Sequence, residues 1–258
     1  MNNLPAMIID FEATDVSKEA EATQLGYHHV KFVDGVISTD NYYHYGETNI
    51  SSPTVSCKPD RVISYGAMAV SHITPEDVDG YPSHKEVVPQ FLPKGEAYMI
   101  AHNADYDIQV AANAGVDVSQ YKRICTQALA RRLTPCIDSH SLGALMYYIY
   151  PDRAKQYLRN AHNAGYDVTF TLWLLEYLCK VGSITSMEQL YLASEEARIP
   201  LTFTLPKHRG ESIAEVAKTD RGYLQWVIKT FPDDVYLIEA CRQALITSVN
   251  PNVSGMER

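Results

Sequence analysis

Apolar and polar positions follow two rhythms along this chain. Some short apolar runs end abruptly in acid or in His-Asn, whereas longer stretches repeat apolar residues every three or four positions. The first rhythm is that of buried strands, the second that of amphipathic helices. Met7-Ile8-Ile9-Asp10-Phe11-Glu12 reads as a strand that reaches polar chemistry at its end, and Tyr98-Met99-Ile100-Ala101 as another that stops at His102-Asn103. Lys122 to Thr126 is a third strand. His29 to Val33 and Val36-Ile37 flank Asp34-Gly35, a pair suited to a tight hairpin turn. Tyr42 to Tyr45 reads as a further strand, and Ser51 to Pro59 as a polar loop.

Helix signals fall between and after these strands. Thr74 is placed to cap a helix that opens with Pro75. Glu86 to Phe91 continues a helical pattern, and Tyr106 to Ala114 forms another, with Gly115 where a C-terminal cap belongs. Gln127 to Leu133 is a helical run that Pro135 stops, and Leu142 to Tyr150 is an apolar and aromatic run that ends at Pro151. The strongest helix spans about Asn163 to Cys179, with Val168, Thr171, Leu172, Leu175 and Leu178 along one face. Strands alternating with helices predict α/β architecture. The pattern weakens after Gly182, so residues 1–182 are expected to form the main domain, 183–198 a linker and 199–258 a small C-terminal unit. That unit holds Thr202-Phe203-Thr204-Leu205, the basic turn Lys207-His208-Arg209-Gly210, and helical segments near 213–218 and 221–230.

Composition narrows the class. The chain has 258 residues, 46% hydrophobic and 21% charged, ordinary values for a globular protein. No run approaches ~18 uninterrupted apolar residues, so no membrane partner is expected. The start of the chain lacks the basic flank and cleavage site of a secretion signal. Five cysteines without a C-x-x-C pair suit free thiols in a reducing cytoplasm. The net charge of −9 argues against broad coating of nucleic acid, but is compatible with an enzyme that concentrates carboxylates around metal and grips a strand end.

Three clusters carry candidate chemistry. Asp10-Phe11-Glu12 puts two carboxylates on one face of a strand, where they repel unless a cation lies between them. His102-Asn103-Ala104-Asp105-Tyr106-Asp107 follows a strand and opens a helix; Asp107 is the chosen ligand, with Asp105 as competitor. His162-Asn163-Ala164-Gly165-Tyr166-Asp167 opens the strongest helix and supplies a histidine and an acid together. Taken singly, each has a plain structural reading as a solvated strand end, a helix cap or a surface histidine.

Together, in this order, they resemble the three motifs of the DEDDh 3′→5′ exonucleases, over roughly residues 6 to 180. Ser71-His72-Ile73-Thr74, the run from Ile124 to Leu133, and the tail segments Phe203–Gly210, Ile213–Val216 and Gly222–Trp226 are similar to the bacterial exodeoxyribonuclease X group. The resemblance implies an RNase H-like mixed β-sheet flanked by helices, with a small C-terminal α+β accessory domain. It implies hydrolysis of DNA from 3′ ends to nucleoside 5′-monophosphates. Two Mg²⁺ or Mn²⁺ ions would be held by Asp10, Glu12, Asp107 and Asp167. His162 is the expected general base. Phe11, His72, Ile73, Thr74, Asn103 and Tyr106 are expected near the terminal nucleotide, with core packing the equal alternative for Phe11, and Lys207 and Arg209 at phosphates. Tyr223 and Trp226 suit core packing by their i, i+3 spacing, with base stacking as the alternative. The expected partner is DNA, with RNA or a short oligonucleotide as the competing substrate and an idle binding module as the competing class. A homodimer also fits the superfamily.

Residues 13–64 are longer than the compact form of that group and contain Asp15, Glu19, Glu21, His28, His29 and His44. The His28-His29 pair suggests zinc, but no cysteine or further histidine follows at a ligand spacing, so the stretch reads as an elaborated β-region and loop.

Overall fold

The first apolar run becomes strand β1 (Ala6–Ala13), with Ile8 and Ile9 fully buried. The computed structural model describes residues 4–39 and 50–249. After β1 come β2 (Ala22–Val33), β3 (Val36–Thr39) and β4 (Thr54–Ser56). Three short helices follow: α1 (Tyr65–Ser71), α2 (Pro75–Val78) and α3 (His84–Phe91). The α/β alternation then takes over in β5 (Ala97–Ala101), α4 (Ala104–Asn113), β6 (Tyr121–Cys125) and α5 (Thr126–Leu133). Helices α6 (Leu142–Ile149), α7 (Pro151–Tyr157), α8 (Ala164–Val181) and α9 (Met187–Arg198) complete this part.

The strands form one six-stranded mixed sheet in the order β3-β2-β1-β5-β6, with β4 also paired to β2. β1 runs antiparallel to β2 and parallel to β5, and β5 parallel to β6. Asp34 and Gly35 both take positive φ between β2 and β3, as a two-residue hairpin turn of this hand requires. Helix α8 packs on β1 and β2, and α4 on β1, β5 and β6. Burial of Phe170, Leu174, Leu175 and Leu178 fastens α8, each side chain gaining roughly 1.5–3 kcal/mol of transfer free energy before entropy is charged against it.

Four expectations need correction. Ser51–Pro59 is not all loop, because Thr54–Ser56 pairs with Gln24–Gly26 of β2; three residues are too few to show a period. β2 itself begins at Ala22, well before the expected His29. Two of its polar positions find partners inside the fold: Gln24 Oε1 accepts from the Ala164 N–H at 3.1 Å, and His28 Nδ1 lies 3.4 Å from Ser52 Oγ. Pro151 begins α7 as well as following α6, since proline suits a first helical position. The expected linker at 183–198 contains helix α9, whose few buried positions include Leu190 and Ser194, so its periodicity is faint. The proposed strand at Tyr42–Tyr45 lies outside the described residues.

The chain divides into compact units at Ser194/Glu195. In the second, α10 (Ile213–Thr219), α11 (Arg221–Thr230) and α12 (Val235–Val249) close on Phe203, Val216, Leu224, Val227 and Cys241. The β component expected here is reduced to two isolated bridges, Thr202–Ser212 and Phe203–Arg209. Among the described residues, no helix is long and apolar enough to cross a membrane.

Candidate active site

Parallel strands end at the same edge of a sheet, and here that edge collects the acids. The β1–β5 pairing runs through Ile8–Ile100, after which β5 ends at Ala101 and the chain turns through His102-Asn103 into α4. Asn103 takes φ 76, and Asp107 follows in the first turn. The Phe11 N–H donates to Asp107 Oδ1 at 3.1 Å, so the third acid is moored to the backbone between the first two. Asp105 points elsewhere, exposed and 3.6 Å from Arg123.

The fourth acid arrives from α8. Asp10 stands opposite Gly26 in the antiparallel register. A Cβ at Gly26 would lie 2.2 Å from the Ala164 carbonyl oxygen, so only glycine lets the start of α8 approach β2 this closely. Gly165 repeats the device on the other partner, where a Cβ would meet Ser51 Oγ at 2.3 Å and the Ser52 carbonyl oxygen at 2.5 Å. Asn163 caps the helix by accepting from the Gly165 N–H. Asp10, Glu12 and Asp167 thereby each offer an oxygen within 4.8 Å of the others. The two glycines and Gln24 escaped notice in the sequence, although a glycine interrupting a strand pattern is a signal of close backbone approach.

Burial and mutual repulsion disfavour charge throughout this cluster. Burial, then the carboxylates of Asp167, Asp107 and Glu12, hold Asp10 well above its ordinary range. Burial followed by Asp167 and Asp107 pushes Glu12 up to about 8. Burial pushes Asp107 to about 8 against the pull of the Phe11 N–H, and Asp167 to about 7 against that of the His162 N–H. An all-oxygen donor set with mutual repulsion fits hard divalent ions such as Mg²⁺ or Mn²⁺.

His162 is joined to the cluster through its backbone. It takes φ 63, its side chain is exposed, and its N–H donates to Asp167 Oδ2 at 2.9 Å. The other expected contacts divide. Phe11 is buried, and the Tyr106 hydroxyl donates to the Asp15 carbonyl at 2.6 Å. His72 is exposed at the left-handed end of α1, Ile73 half-buried, and the Thr74 hydroxyl donates to Asp77 Oδ2 at 2.7 Å. His28 and His29 diverge, one buried and one exposed, so they form no joint ligand pair. In the second unit, Lys207 pairs with Asp220 at 2.6 Å and lies over the Tyr223 ring, while Arg209 is exposed. Tyr223 is core and Trp226 half-exposed, their rings stacked at 5.4 Å.

Known proteins resemble this chain in family and fold. Residues 7–175 match the family model described as Exonuclease. The chain belongs to the exonuclease family. Residues 207–231 match the model of the exodeoxyribonuclease X-like C-terminal region. Exodeoxyribonuclease 10 of Escherichia coli (strain K12) is 32% identical over 170 residues, which are 66% of this chain and 73% of that one. A solved exonuclease X in complex with 5′ overhanging duplex DNA is similar at a TM-score of 0.53 and 26% identity, over 73% of this chain and 99% of that chain. A zinc-bound E. coli exonuclease I–ssDNA complex shares the fold at a TM-score of 0.52 and 18% identity, over 74% of this chain and 42% of that chain. The expected RNase H-like sheet is thus the fold of this exonuclease.

Proposed function

We propose that this exonuclease removes nucleotides from the 3′ end of DNA as 5′-monophosphates, in the reducing cytoplasm that its free, mostly buried cysteines suit. The observation that carries the reading is the convergence of four carboxylates, from β1, α4 and α8, whose pKa values are all raised. Asp10, Glu12, Asp107 and Asp167 would hold two divalent ions. When bound, such ions neutralise charge on the scissile phosphate and acidify the attacking water. The exposed His162 imidazole accepts that water's proton, and the hydrogen bond from its own N–H to Asp167 ties its position to the cluster. His72 and Ile73 face the terminal nucleotide, whereas Phe11 and Tyr106 act through packing and through the Asp15 loop. In the C-terminal unit, Trp226 offers the stacking face and Arg209 a phosphate contact, Lys207 being engaged by Asp220.

A 5′-labelled DNA oligonucleotide, incubated with Mg²⁺, with chelator, and with the Asp10→Ala variant, tests this. A ladder that shortens from the 3′ end and vanishes in both controls is expected. An intact DNA oligomer beside a shortened RNA of the same sequence would reassign the substrate. If both survived, the hydrolytic reading would fail.

A further inference from the structure

A second group of potential ligands lies in the first unit and shares no residue with the catalytic cluster: Glu21, Asp60 and His84, each with a ligand atom within 4.8 Å of the others. Carboxylates near one another are common on protein surfaces. The unusual member here is His84. It is fully buried, and neither of its ring nitrogens has a hydrogen-bond partner. A buried imidazole without a partner forfeits the hydrogen bonds it makes to water, at a cost that native folds seldom leave uncompensated.

Nε2 of His84 points at Glu21 Oε2 from 3.6 Å, too far for a hydrogen bond. It is close to the separation of two ligands sharing one tetrahedral zinc ion, where bonds of ~2.0–2.1 Å make an edge of about 3.3 Å. We propose that Glu21, Asp60 and His84 bind a borderline divalent ion of the Zn²⁺ class, with water in the fourth position. This site joins the β1–β2 connection to the loop before α1 and to the start of α3.

The backbone already holds the three segments in place. The Cys57 N–H donates to the Thr23 carbonyl, Lys58 N–H to Pro82, and His84 N–H to Lys58, at 3.0, 2.8 and 2.9 Å. Glu21 Oε2 is oriented by the N–H groups of Asp60 and Arg61, at 2.6 and 2.8 Å. Asp60 is exposed and provides an entry route, with Lys85 at 2.7 Å from its Oδ2 as the charge an ion must compete with. His84 is held neutral by burial, the state in which imidazole ligates. Its Nδ1 has no acceptor, whereas ligating histidines usually donate there. Affinity should therefore fall roughly 10–100-fold below that of a fully braced site.

The test uses the full chain carrying Asp10→Asn and Asp167→Asn, so that the catalytic cluster is disabled, after treatment with chelator. Zn²⁺ is titrated calorimetrically and the histidine imidazole resonances are followed by NMR. One Zn²⁺ per chain is expected, with a shift of the His84 resonance and a melting temperature that climbs with Zn²⁺ concentration. Asp60→Asn, at an exposed position that folding tolerates, should weaken binding at least tenfold, and Glu21→Gln likewise. Absence of binding would overturn the proposal. So would binding that left the His84 resonance unmoved or that Asp60→Asn did not weaken.

Discussion

The chain writes almost the same six residues twice, His102-Asn103-Ala104-Asp105-Tyr106-Asp107 and His162-Asn163-Ala164-Gly165-Tyr166-Asp167, and uses them in opposite ways. Both segments open a helix and deliver an aspartate to the same cluster. In the first, the left-handed residue is Asn103, and the preceding His102 is turned inward. Its ring nitrogens lie 3.1 Å from Thr126 Oγ1 and 3.0 Å from the His140 carbonyl, and burial lowers its pKa to about 4. In the second, the left-handed residue is His162 itself, one position earlier, and its side chain is exposed. A shift of one residue in where the backbone turns thus separates a half-buried, hydrogen-bonded histidine from an exposed one. The two acids are moored differently as well. Asp107 accepts from Phe11, on a strand distant in sequence, and Asp167 from His162 within its own motif.

The comparison predicts its own failures. Asp107→Asn and Asp167→Asn should each reduce hydrolysis to the background of a gel assay, because both segments feed one cluster. A variant of either that turned over normally would separate that segment from the chemistry. His162→Ala should lower single-turnover rates by about 10²–10⁴ without a change in melting temperature. His102→Ala should do the reverse, leaving turnover within a few-fold and costing about 1–3 kcal/mol of stability, because Thr126 and His140 lose a buried partner. If the two variants behaved alike, the distinction between the segments would be lost.

Making the second segment read like the first provides a subtler break. Gly165→Asp puts a Cβ against Ser51 and Ser52, so α8 must retreat from β4 and carry Asp167 with it. A loss of roughly 1–3 kcal/mol is expected in denaturant unfolding, with a higher Mg²⁺ concentration needed for half-maximal activity.

A further prediction concerns pH. In the metal-free protein, Glu12, Asp107 and Asp167 hold protons up to about pH 7–8. The unfolded chain releases them near pH 4. The folded state therefore binds more protons between these limits, and the cluster's contribution to stability falls as pH rises from about 4 to 8, then levels off. Saturating Mg²⁺ should flatten that slope, and limiting Mg²⁺ should support less activity at pH 6 than at pH 8. Calorimetric melting temperatures across this range, with and without Mg²⁺, check both statements.

Much of this was legible in the linear chain because local physics wrote it. An apolar run that ends in Asp10 and Glu12 is a buried strand with acids at its tip. Asp34-Gly35 admits the backbone of a tight turn, and the apolar stretch from Val168 to Leu178 marks a helix, though one buried on more sides than the single face expected, with Leu172 only half-buried. The order of the three acidic motifs was enough to name a family. What the sequence could not display was distance. Gly26 hints at a close backbone approach, but that it stands opposite Asp10, and that α8 is the element it admits, follow from strand register and long-range packing, neither of which has a local signature. The inward turn of His102 and the outward one of His162 depend on what each helix start packs against. Glu21, Asp60 and His84, spread over 64 positions, meet only because Cys57, Lys58 and His84 lace three separate segments through backbone hydrogen bonds. Patterning determined which elements form and which residues could react; long-range packing alone decided which of them share a site, because proximity between distant segments is set by the whole fold.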